Sequence, residues 1–161
     1  MDITSKMLTE ADSVEQLELL MQSLERELAN GNGRAGFLLA NAYGLDNSFF
    51  KHELGAPLKP DFEKALHFFK LSFPALCKEA ELGNGEAMHL VGIYYQGGTP
   101  PVARDSAQHM VWSHRAFEAG YIPAANDLYS YYSNKNSEVY DQEKAAYYLK
   151  ILTDTGTRFV V

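Results

Sequence analysis

The chain has 161 residues, 46% hydrophobic and 22% charged, with a formal net charge of −7 and a single cysteine, Cys77. That balance predicts one folded domain over 1–161 and excludes the clustered cationic surface nucleic acid requires, leaving a protein or peptide partner, if anything a basic one. One thiol builds no disulfide framework, no run approaches the ~18 apolar residues of a membrane span, and the N-terminus lacks the order of a secretory leader, so the expected location is cytoplasmic, or periplasmic if a leader has been removed.

Residues 12–31 place Val14, Leu17, Leu20, Met21, Leu24 and Leu28 on one helical face, with Ser13 and Gln16 as a capping box and Asn30-Gly31 as the stop. This predicts a capping helix ahead of three repeats, at 34–83, 86–120 and 123–156. With Gly31, Gly83 and Gly120 superposed, Ala35, Ala87 and Ala124 coincide, followed by Leu39, Val91 and Leu128 and then Tyr43, Tyr95 and Tyr132. Small, aliphatic and aromatic residues at offsets of zero, four and eight predict a first helix in each repeat. A second helix follows, opened by Asp61, Asp105 or Asp141, carrying Phe68, Trp112 or Tyr148 seven residues on, and closed by Gly83, Gly120 or Gly156. Trp112 is expected to be largely buried.

The first repeat departs from the others. Its loop, 45–60, is long and contains Phe49-Phe50, and its second helix is extended by about two turns. Pro74 falls inside that extension, predicting a kink or break near Ser72-Phe73. The whole chain is therefore expected to be all-α, with about seven helices in antiparallel pairs and no strand.

The chemistry-bearing residues give no constellation. His109 and His114 are about 140° apart on one predicted helix and cannot share a metal ion as an i, i+4 pair could; both are expected at a surface or in a groove. His52-Glu53 falls in the long loop. Cys77 has only Lys78 beside it, predicting an inert thiol. Gly97-Gly98-Thr99-Pro100 lacks the Gly-Lys-Ser/Thr ending that grips phosphate and reads as a turn. Asp61, Asp105 and Asp141 sit where helix starts need acceptors for free amides. No catalytic residue, cofactor or metal is expected.

The pattern seen most clearly in Ala87, Val91-Gly92, Tyr95, Gly98, Val102, Asp105, Trp112, Ala116 and Gly120 resembles the Sel1-like repeat, a relative of the tetratricopeptide repeat. The third copy departs from it at Tyr129 and Lys135. The resemblance implies a right-handed α-solenoid of about three hairpins, a bacterial source, and a non-enzymatic adaptor or scaffold that binds a protein or peptide. It also admits an immunity protein that neutralises a toxin, and more remotely an enzyme or ligand-binding subunit. Offsets two and six of each first helix turn away from the packed stripe, which makes Phe37, Asn41, His89, Ile93, Asn126 and Ser130 the expected partner surface. Phe49 and Phe50 are the rival contact.

Overall fold

The computed structural model describes residues 7, 8, 10–44 and 60–157. Among them are seven α-helices and no strand: α1 (Val14–Ala29), α2 (Gly33–Gly44), α3 (Phe62–Glu81), α4 (Gly85–Gly97), α5 (Ser106–Glu118), α6 (Ala125–Ser133) and α7 (Gln142–Asp154), with a 3-10 turn at Ile122–Ala124. The chain divides into two compact units, Met1–Leu76 and Cys77–Val161. The loop residues Phe49, Phe50, His52 and Glu53 lie outside the described residues.

Each helix start but that of α6 has a side-chain acceptor, and at four of them it is the residue the sequence predicts. Ser13 Oγ accepts from the Gln16 amide, 3.1 Å, while Gln16 Oε1 reaches one residue further back than a standard capping box, to the Asp12 amide at 2.6 Å. Asp61, Asp105 and Asp141 accept from the amides of Lys64, Gln108 and Lys144 at 2.9, 2.9 and 3.0 Å. Those bonds, the Lys144 amide foremost, hold the Asp141 carboxyl below its ordinary pKa.

The same three aspartates close the hairpins. Their own amides donate to the carbonyls of Tyr43, Tyr95 and Tyr132 at 2.9, 2.9 and 3.0 Å, so one bond ties the end of each first helix to the start of the second, whatever the loop length between them. Rings reinforce the closure: Tyr43 stacks on Phe68 at 5.6 Å and Tyr132 on Tyr148 at 5.9 Å, with Lys64 and Lys144 over the outer faces.

In unit 1, Leu17, Met21 and Leu24 of α1 pack on Ala35, Leu38, Leu39 and Ala42 of α2, with Leu8 and Ala11 completing the core. Burying each aliphatic side chain stabilises the unit by roughly 1.5–3 kcal/mol. The tripeptide Gly31-Asn32-Gly33 makes the turn into α2. Gly31 adopts φ 94°, a conformation costly for a side chain, while Asn32 Oδ1 caps α2 through the Ala35 amide, 3.1 Å, and its Nδ2 donates to Glu27. Gly33 allows the close approach of α3: a Cβ there would lie 2.5 Å from the Leu76 backbone nitrogen. Next to it the buried Ser72 hydroxyl donates to the Gly33 carbonyl at 2.7 Å.

The expected break in α3 is absent; the helix runs from Phe62 to Glu81 with Pro74 inside it. Pro74 lies on the exposed face, where the carbonyl it leaves unpaired can turn to water. Ser72 and Leu76, either side of it, are fully buried, Ser72 through its bond to α2.

In unit 2 the tripeptide recurs as Gly83-Asn84-Gly85, with Gly83 at φ 92°, Asn84 capping α4 through the Ala87 amide at 3.1 Å, and a Cβ at Gly85 that would meet Tyr121 Cβ at 2.9 Å. At the third copy Tyr121-Ile122 replaces Asn-Gly, and the 3-10 turn starts at Ile122, with Pro123 its second residue and no side-chain cap. Ala87, Ala124, Val91 and Leu128 are buried, as the alignment predicts. Trp112 is only half-buried, because its outer face is covered by the Arg115 guanidinium, 4.0 Å away, rather than by a helix. The largest fully buried side chain among the described residues is Tyr94.

Candidate functional site

The six residues expected at a partner surface divide between the two units. In unit 1, Phe37 is half-buried with its ring edge-on to Phe69 at 5.9 Å, and the Asn41 amide donates to the Phe37 carbonyl one turn back at 2.9 Å. In unit 2, His89 and Ile93 lie one turn apart on α4, and Asn126 and Ser130 one turn apart on α6. Ser130 is exposed and its hydroxyl donates to the Asn126 carbonyl at 2.9 Å; the other three are half-buried.

A carboxylate links these two helices. Asp127 Oδ2 lies 3.2 Å from His89 Nδ1 and 3.6 Å from His109 Nε2, joining α4, α5 and α6 at one point. His89 keeps 18% of its side chain exposed and leans on the Tyr121 ring at 5.3 Å, whereas His109 is 1% exposed. His109 is therefore a core residue, not the surface or groove histidine its sequence position suggests. Its Nδ1 contacts the Tyr131 hydroxyl at 2.9 Å, and that hydroxyl donates its single proton to the Ser106 carbonyl at 3.1 Å. Nε2 is thus the ring nitrogen that faces the carboxylate.

Neither imidazole meets hydrogen-bond geometry toward Asp127: one approach is off-line and the other long. The contacts are electrostatic. Burial acts to raise the Asp127 pKa, but the two histidines outweigh it and hold the carboxyl well below the usual carboxylate range. Burial also pushes the Tyr131 hydroxyl up, so it stays a neutral donor.

Serine, histidine and aspartate together invite comparison with an acyl-transfer triad, and the geometry refuses it. Ser113 Oγ is fully buried and donates to the His109 backbone carbonyl at 2.9 Å, so no imidazole nitrogen is placed to take its proton. Among the described residues no group of three His, Cys, Asp or Glu side chains is arranged to hold a metal ion. His114 belongs to a separate contact, Nε2 to the Tyr132 hydroxyl at 2.9 Å, and burial lowers its pKa. The Cys77 thiol is half-buried, and burial, then Glu81, raises its pKa, which disfavours the thiolate.

The sequence reading missed the His89–Asp127–His109 point because its members come from three helices and share no spacing. It also missed the caps Asn32 and Asn84, which a signal could have found: each follows a closing glycine within an identical Gly-Asn-Gly.

Helical hairpins closed by the same Tyr-to-Asp bond, with no strand among the described residues, define an all-α helical-repeat protein. No protein-family model matches the chain, and no curated protein is significantly similar in sequence. A crystal structure of a Sel1 repeat protein from Oxalobacter formigenes superposes with a TM-score of 0.52 at 20% identity, covering 85% of this chain and 90% of that one. The chain has the Sel1-like repeat fold, of the α-solenoid class. No helix among the described residues is long and apolar enough to cross a membrane.

Proposed function

We propose that this chain is a protein-binding module, an adaptor or scaffold, which takes a polypeptide on the face of unit 2 built by α4 and α6. The observation that carries this reading is the 3.2 Å contact between His89 and Asp127. It joins α4 and α6 through one side-chain contact, and the proposed surface runs over His89 and Ile93 on the first of these helices and Asn126 and Ser130 on the second. Imidazole, aliphatic, amide and hydroxyl groups side by side suit peptide groups better than phosphate. The Sel1-like fold supports the reading, since related repeat scaffolds present extended binding surfaces. Phe37 and Asn41 of unit 1 are proposed as secondary contacts, and Phe49-Phe50 as the rival.

The test is a photo-crosslinking side chain placed at Ser130, at Asn126 and, as a control, at Glu143 on the exposed side of α7. In cells of the source organism the first two should give the same discrete adduct and the control none. Adducts from Glu143 alone, or none from any position, would refute the assignment.

A further inference from the structure

We draw no further inference here: the strongest candidate, the His89–Asp127–His109 cluster where α4, α5 and α6 meet, belongs to the site already described, and a proton-operated switch built on it would rest on titration alone.

Discussion

Asp127 shows what a single buried charge does in this fold. Its folded-state pKa is depressed, so its stabilising contribution is fully present above the unfolded carboxylate value of about 4 and is lost as pH falls through the folded value. Asp127→Asn should therefore cost about 2 kcal/mol near neutral pH, since it leaves two imidazoles facing an uncharged amide. The gap between parent and variant should hold steady from about pH 7 to 5 and narrow as pH falls below about 4. Urea melts across that range check it; a pH-independent gap would mean the carboxylate acts by shape alone. Trp112 teaches the opposite lesson. Half-buried under Arg115, it does not carry the full ~3–5 kcal/mol of a core aromatic, and Trp112→Ala should cost about 2 kcal/mol in the same assay.

The elements were legible where one residue type answers one local need. Closing glycines, opening aspartates and the extra length of α3 all follow from caps and turns, which are local in sequence. The aromatic at offset eight is buried in the third copy, at Tyr132, but not in the second, where Tyr94 at offset seven is fully buried and Tyr95 half-exposed; offset seven returns to within about 20° of the first residue on a helix and offset eight to about 80°. Gly-Asn-Gly separates two further effects that can be measured. Asn84→Ala loses one cap and should cost about 1 kcal/mol. Gly85→Ala drives a methyl against Tyr121 and should cost about 1–3 kcal/mol, shown as a lowered melting temperature. Matching midpoints for parent and Gly85→Ala would mean that the contact between α4 and the Tyr121 segment yields without cost.

For the molecule, repetition made the fold readable and hid the site. Three copies in register give the Sel1-like fold from Gly, Asp and Ala positions alone, because each copy solves the same packing problem. The proposed binding surface rests on what the copies do not share: His89, Ile93, Asn126 and Ser130 occupy equivalent offsets with different chemistry, and the His89–Asp127 contact joins the two helices that carry them. The most direct measurement is the affinity of the partner crosslinked at Ser130 for the Ser130→Arg chain, an exposed change that spares the core. The account predicts at least a tenfold loss, about 1.4 kcal/mol, with the melting temperature unchanged. Unchanged affinity for Ser130→Arg, with a tenfold loss for Phe49→Ala and Phe50→Ala together, would contradict it.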